Sequence, residues 1–376
     1  MKVMIGLSGG VDSAVAAYLL KTQGYDVVCG FMRNWDSFAN NDILGNPTIN
    51  DGICPQEQDY LDAKKVADTL NLPLLRIDFI KEYRDNVFTY FLDKYKKGRT
   101  PNPDVFCNKY IKFGPFLEFA KKNGCDAIAM GHYAKRVDID GKTYLYKALD
   151  KNKDQTYFLS QISSYQLKSC LFPLGDIDKS EVRMIAHRLN LISVEDKKDS
   201  TGVCFIGERN FKEFLENYIP AKEGNIVDIA TNKIVGRHDG VMYYTIGQRR
   251  GLGIGGIKGE VAKGWFVCSK DVKNNILYVT SGDEEEYLLS DEAIISNINL
   301  FNDSITDGDH LNVKFRYRQE DKGVTCFNLP QNKIKLVFDE PYKAVTPGQA
   351  CVFYKGEMCL GGGLIESVFY KNKIKN

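Results

Sequence analysis

The 376-residue sequence has no C-x-x-C pair, no long apolar run and only four histidines, and each absence removes a class of protein. His132, His187, His238 and His310 lie far apart, so a zinc site is a poor account of the ten cysteines. With no apolar leader and no membrane-length span, the cysteines point to a reducing cytoplasm rather than to a disulfide scaffold. An excess of one charge is also missing: 50 Lys+Arg face 49 Asp+Glu. A polyanion would therefore have to be met by local basic runs such as "YKKGR" at 95–99, "QRR" at 248–250 and "RYR" at 316–318. Internal repeats and low-complexity tracts are absent as well, and at this length two or three ordinary domains are expected.

What is present begins at the N-terminus. The stretch "IGLSGGVDSAVAAYLL", residues 5–20, reads as an apolar strand, a tight glycine turn and an amphipathic helix. Backbone N–H groups of such a turn, with the positive end of the following helix, form a cradle for phosphate. A Walker loop would end in Lys, and none is there. Gly9 and Gly10 allow the turn, while Ser8, Asp12 and Ser13 surround the anion with hydroxyls and one carboxylate, an arrangement that suits a bridging Mg²⁺. The spacing predicts strands near 3–7, 26–32, 74–78 and 126–130, and helices near 12–22, 57–71, 83–95 and 109–123. This βαβ rhythm predicts a parallel sheet with its ligand at the carboxyl ends of the strands. A further helix is expected in "KSEVRMIAHRLNL", with Ser180 as its cap. Beyond about residue 210, short alternating runs such as "NNILYVTSG", "KIKLVFDEP" and "QACVFYKGEMCLGGG" predict β-strands, as in a small barrel. The acidic run 283–286 reads as a solvated loop near a domain boundary.

Two cysteine-bearing segments stand out. In "GRTPNPDVFCNKYIKF", residues 98–113, two prolines bound an irregular segment and Cys107 is expected at or near a helix start. There, with Lys109 and Lys112 near, the thiol would be acidified, and Asp104 could act as a general acid or base. The alternative for Cys107 is a small buried hydrophobe. In "DSTGVCFIGE", residues 199–208, Cys204 follows a Thr-Gly turn and, taken alone, reads first as a core cysteine. "GLGIGG" at 251–256 fits G-x-G-x-x-G but lacks the flanking strand and helix, so a dinucleotide site is not expected there.

"SGGVDS" resembles the PP-loop of the N-type ATP pyrophosphatases, which split ATP between its alpha and beta phosphates and hold the departing pyrophosphate. Together, "TPNPDVFCNKYIKF", "STGVCFIGE", "MGHYAKR", "KDQTYFL" and "AVTPGQACVFY" resemble the tRNA-specific 2-thiouridylases over nearly the whole chain. The resemblance implies an α/β protein with a PP-loop ATP pyrophosphatase (adenine nucleotide alpha hydrolase-like) domain at 1–210, a small β-rich central domain at 211–285 and a β-barrel tRNA-binding domain at 286–376. It assigns ATP to Gly6, Leu7, Ser8, Gly9, Gly10, Val11, Asp12, Ser13, Met32 and Gly131, although the spacing of Met32 fits core packing equally well. Catalysis falls to Cys107 as nucleophile, Cys204 as persulfide carrier and Asp104, with a transient Cys107–Cys204 disulfide. Contacts to tRNA fall to Asn102, Pro103, Asp104, His132, Lys153, Asp154, Gln155, Arg316, Tyr317 and Gln349. ATP and Mg²⁺ are the implied cofactors. The implied partners are a tRNA anticodon stem-loop and a persulfide donor, either a cysteine desulfurase or a sulfur-relay protein, with no membrane. Two rivals remain: a PP-loop synthetase with a small-molecule acceptor, and an inert nucleotide-sensing or RNA-binding protein.

Overall fold

The structure, a computed structural model, describes residues 1–191, 194, 210–254, 264–282 and 285–375. Its first layer is a parallel sheet. Strands β1 (Lys2–Gly6), β2 (Asp26–Arg33), β3 (Leu74–Asp78) and β4 (Ala127–Ala129) fall within one or two residues of the positions that periodicity predicts. A hairpin, β5 (Ala134–Ile139) and β6 (Lys142–Lys147), follows before β7 (Cys170–Leu171) completes the sheet in the order β3-β2-β1-β4-β7. In β1 the run Val3, Met4, Ile5 is buried outright because both faces are covered. Met4 faces one apolar core that includes Phe113 and Phe116, whereas Val3 and Ile5 face another that includes Ala14 and Val15. Ala14 and Val15 belong to helix α1 (Val11–Thr22), and α2 (Pro55–Thr69) covers the same side through Ala63 and Val66.

The chain runs outward from β1 to β2 and β3, then returns to the opposite side of β1 as β4. The order thus reverses between β1 and β4. A crevice opens at the carboxyl ends of strands at such a point, and the two loops that leave β1 and β4 flank it.

Two expectations about helix starts are corrected. Helix α3 (Pro103–Cys107) begins four residues before Cys107, because Asn102 caps it by accepting from the N–H groups of Asp104 and Val105 and Pro103 occupies the first turn. Cys107 therefore ends this helix and is 1% exposed, packed in the core with Phe106 and Ile111. A π-helical turn, Asn108–Lys112, continues from it, so the expected helix at 109–123 is broken and resumes only at Pro115–Lys122. Helix α4 (Lys179–Arg188) is capped by Asp178, whose carboxylate accepts from Glu181 N, rather than by Ser180.

After residue 210 the strands form two sheets. Strands β8 (Gly224–Asp228), β9 (Ile234–His238), β10 (Trp265–Asp271) and β11 (Ile276–Ser281) make a small sheet in the order β10-β11-β8-β9. Then β12 (Leu289–Leu300), β13 (His310–Lys314), β14 (Lys322–Leu329), β15 (Lys333–Lys343), β16 (Ala350–Lys355) and β17 (Met358–Tyr370) pair antiparallel in the order β12-β15-β14-β13-β16-β17. Since β12 also pairs with β17, these six strands close into a barrel. The hairpin β5–β6 joins that barrel, not the parallel sheet, by pairing Tyr146 with Met358 and Leu145 with Cys359. Among the described residues no helix is long and apolar enough to cross a membrane.

Candidate active site

The loop leaving β1 is built around its glycines and two serines. Gly9 has φ +77°, and a Cβ there would lie 2.3 Å from the carbonyl oxygen of Asp59 in α2. Only glycine allows both the turn and that approach. Ser13 Oγ donates to Gly10 O at 3.0 Å, accepts from Ser8 N at 3.1 Å and lies 3.2 Å from Ser8 Oγ. The loop is thus closed on the first turn of α1. On its far side Gly131, which follows β4, backs directly onto the helix start: a Cβ there would meet Ser13 N at 3.0 Å. Met32, at the end of β2, reaches the same place, its methyl group 3.2 Å from where a Gly6 Cβ would stand.

Asp12 has partners that sequence reasoning missed. Its Oδ1 accepts from Lys179 Nζ at 2.6 Å and from the Tyr133 hydroxyl at 2.7 Å. Lys179 is the first residue of α4, and its side chain is 11% exposed against 32% for Asp12. A lysine is thus brought to the loop, where it pairs with Asp12, by a helix far along the chain. The Asp178 cap was the available signal, because it places Lys179 in the first helical turn. Tyr133 in turn is held by Gln155, which accepts from Tyr133 N through Oε1 and donates its own N–H to Tyr133 O.

The Cys107 segment comes close to this loop through Lys112 and His132. Burial raises the Asp104 carboxyl above the usual carboxylate range, with the Lys112 ammonium opposing it. Burial also holds the His132 imidazole well below its usual range, and Lys112 pushes the same way. One cation therefore acts on both groups, and the His132 ring lies 6.0 Å from Phe113. Among the described residues, the buried His132 Nδ1 and Asn108 Oδ1 find no hydrogen-bond partner. Buried polar atoms of that kind are usually completed by water or by a bound group. Burial also lowers the Lys109 ammonium, which lies 3.4 Å from Gln161 Oε1.

The remaining expected RNA contacts are placed variously. Asp154 is buried, accepting from Ala148 N at 3.0 Å and from the Thr156 hydroxyl at 2.8 Å. Lys153 is half-buried beside it. Arg316 Nη2 donates to Ile246 O, Ala344 O and Thr346 Oγ1 at 2.8–2.9 Å. Tyr317 packs on Phe158 with ring centres 4.3 Å apart, and Gln349 Nε2 donates to Thr100 O at 2.7 Å. Cys204, with the rest of 199–208, lies outside the described residues, as does Gly256 of the glycine-rich 251–256 stretch.

Three family models match in series: the tRNA methyl transferase HUP domain over residues 1–208, the tRNA methyl transferase PRC-barrel domain over 212–281 and the aminomethyltransferase beta-barrel domain over 290–365. A protein of Mycoplasma mobile named tRNA-specific 2-thiouridylase MnmA is 54% identical over 375 residues, covering 99% of this chain and 98% of its own. The chain belongs to the tRNA-specific 2-thiouridylase family. Two further family members bear the same name. That of Mycoplasma capricolum subsp. capricolum is 56% identical over 98% of this chain and 99% of its own, and that of Acholeplasma laidlawii 52% identical over 98% and 97%. Among solved structures, NMN synthetase from Francisella tularensis matches 53% of this chain and 66% of its own at 18% identity with a TM-score of 0.32, a likeness from which nothing is argued.

Proposed function

We propose that the protein is an ATP-dependent sulfurtransferase that replaces oxygen-2 of the wobble uridine of tRNA by sulfur. The observation that carries this reading is that Gly131-His132 touches both parts: Gly131 backs onto Ser13 of the loop, and the His132 ring lies 6.0 Å from that of Phe113, at the end of the turn that continues from Cys107. In the reaction, uracil oxygen-2 attacks the alpha phosphate of ATP and pyrophosphate departs, held by the loop from Gly6 to Ser13. The oxygen is then a leaving group as AMP. A persulfide on Cys204 supplies sulfur to carbon-2 by one of two routes: its terminal sulfur attacks carbon-2 and expels AMP, after which the Cys107 thiolate attacks Cys204 Sγ and releases thiouridine, or the Cys107 thiolate attacks Cys204 Sγ first and frees hydrosulfide, which attacks carbon-2 and expels AMP. Both routes leave AMP, thiouridine and a Cys107–Cys204 disulfide, which a dithiol must reduce before the next turnover. Asp104, whose carboxyl burial raises above the usual carboxylate range, is suited to exchange a proton at this centre.

The donor set around Asp12 fits Mg²⁺, which takes one or two carboxylates together with substrate phosphates and water. Asp12 would hold the ion, with Ser8 and Ser13 beside it; among the described residues no cluster of three or more acidic, His or Cys side chains offers a cage of its own. When bound, the ion would neutralise phosphate charge. Met32 and Gly131 would line the nucleotide. An anticodon loop presents an unpaired base at low cost, and the orphaned His132 Nδ1 and Asn108 Oδ1 are groups such a base could satisfy. We assign the grip on RNA to the two β-rich parts, 211–285 and 286–376, and the chemistry to 1–210, with persulfide arriving from a desulfurase or relay protein.

The test is nucleoside mass spectrometry after incubation with tRNA, ATP, Mg²⁺ and a persulfide source, followed by peptide mapping without reductant. One oxygen-to-sulfur exchange at the wobble uridine, with a Cys107–Cys204 disulfide accumulating in proportion, is expected. Full turnover by Cys107→Ser or Cys204→Ser, or a disulfide between another pair, would overturn the assignment.

A further inference from the structure

The segment that carries Cys107 is tied to the barrel directly before the thiol and through Tyr157 and Phe158 after it. Seven residues before Cys107, Thr100 is 7% exposed and meets both β-rich parts. Its N–H donates to Pro347 O at 3.3 Å, its carbonyl accepts from Gln349 Nε2 at 2.7 Å, and its hydroxyl lies 3.3 Å from that of Thr245. The approach is close enough that Gly348, at φ +97°, would place a Cβ 3.1 Å from Thr100 N. One residue after Cys107, Asn108 Nδ2 donates to Phe158 O at 3.0 Å. The Phe158 ring packs on Tyr317, and the neighbouring Tyr157 hydroxyl donates to Ala350 O at 2.9 Å. Residues 347–349 thus hold the segment directly before Cys107, and Ala350 reaches it after Cys107 through Tyr157 and Phe158.

Between Thr100 and α3 the chain has little freedom. Pro101 and Pro103 fix φ at two of three positions, and the third, Asn102, is the helix cap. A displacement of Thr100 is therefore passed to Asp104 and Cys107 rather than absorbed.

We propose that Thr100 is a positioning residue that sets the Asp104–Cys107 segment from the barrel and the central sheet, so that the state of the β-rich parts is felt at the reacting thiol. This rests on the reading of Cys107 as nucleophile. The experiment compares Thr100→Val, Thr245→Val, the double variant and Thr100→Ser. A single valine leaves the facing hydroxyl unpaired, whereas the double removes both groups and should restore the melting temperature. Positioning predicts a different pattern for catalysis: kcat falls about three- to tenfold in both singles and stays low in the double, with KM for tRNA and ATP unchanged, and Thr100→Ser restores it. The rate of Cys107 alkylation, read by peptide mapping, should change in the same variants. Recovery of kcat together with melting temperature in the double variant, a rise in KM for tRNA at constant kcat, or an unaltered kcat would each overturn the proposal. Full activity of Cys107→Ser would instead overturn the nucleophile assignment, and Cys107 alkylation would still report whether Thr100 holds the segment.

Discussion

Replacing Lys179 by Met removes the cation that α4 delivers to the loop while keeping much of the side chain's length and apolar stem. Two unit charges about 4 Å apart interact by about 4 kcal/mol at the effective dielectric of a protein boundary. The Lys179 side chain is 11% exposed and Asp12 32%, so solvent screening reduces this to about 2 kcal/mol. If Lys179 faces phosphate charge once ATP is bound, kcat/KM for ATP should fall by about 30-fold. Thermal stability of the ATP-free protein should fall by about 1–2 kcal/mol, since a charge-assisted hydrogen bond to Asp12 is lost but the one from Tyr133 remains. The assay is tRNA-dependent pyrophosphate release across an ATP titration at saturating tRNA, with Lys179→Arg as the charge-retaining control. A Met variant within threefold of the parent in kcat/KM for ATP would refute the reasoning and leave Lys179 as a structural partner of Asp12 only.

Asp12→Ala should nearly abolish pyrophosphate release with tRNA binding close to the parent, by filter binding. Gly9→Ala should cost about 1–3 kcal/mol from its positive φ alone, and more from the Asp59 carbonyl, with nucleotide binding lost by calorimetry. Because burial raises the Asp104 carboxyl, its ionisation opposes folding: that contribution to stability is whole below the usual carboxylate range and is lost as pH rises through the higher folded value. Asp104→Asn should accordingly match the parent in stability near pH 4 and exceed it at pH 8 while losing activity, and an offset independent of pH in paired melts would contradict this. Finally, tRNA affinity should fall steeply between low and moderate salt despite the balanced net charge, as counterions are released from phosphates met by local Lys and Arg.

Much of the parallel sheet was legible because its strands and helices alternate with clear periods, and "SGGVDS" marks the turn between the first pair. Lys179 was not, since a lysine opening "KSEVR" looks like any solvated helix residue until the fold brings α4 over α1. The position of Cys107 at the end of its helix is legible in Asn102-Pro103, whose capping and N1 preferences locate the helix start. The β5–β6 hairpin has a local signal: Asp140-Gly141, both at positive φ, is the favoured two-residue hairpin turn. What no local pattern announces is the partner of that hairpin, since the match of Tyr146 with Met358 depends on the whole chain's path.

That pairing bears on how the chain is made. Synthesis proceeds from the N-terminus, so β6 leaves the ribosome long before β17, the strand whose edge completes it. Until residue 358 is available, a nascent chain carrying the entire nucleotide loop also carries a ribbon with one unpaired row of N–H and C=O groups, a template for intermolecular association. Genetic dissection meets the same obstacle. A fragment cut at 210 keeps the loop, Cys107 and Lys179, yet exposes that ribbon permanently, so such fragments should be prone to aggregate, and grafting the N-terminal part onto another RNA-binding partner would require re-covering β6.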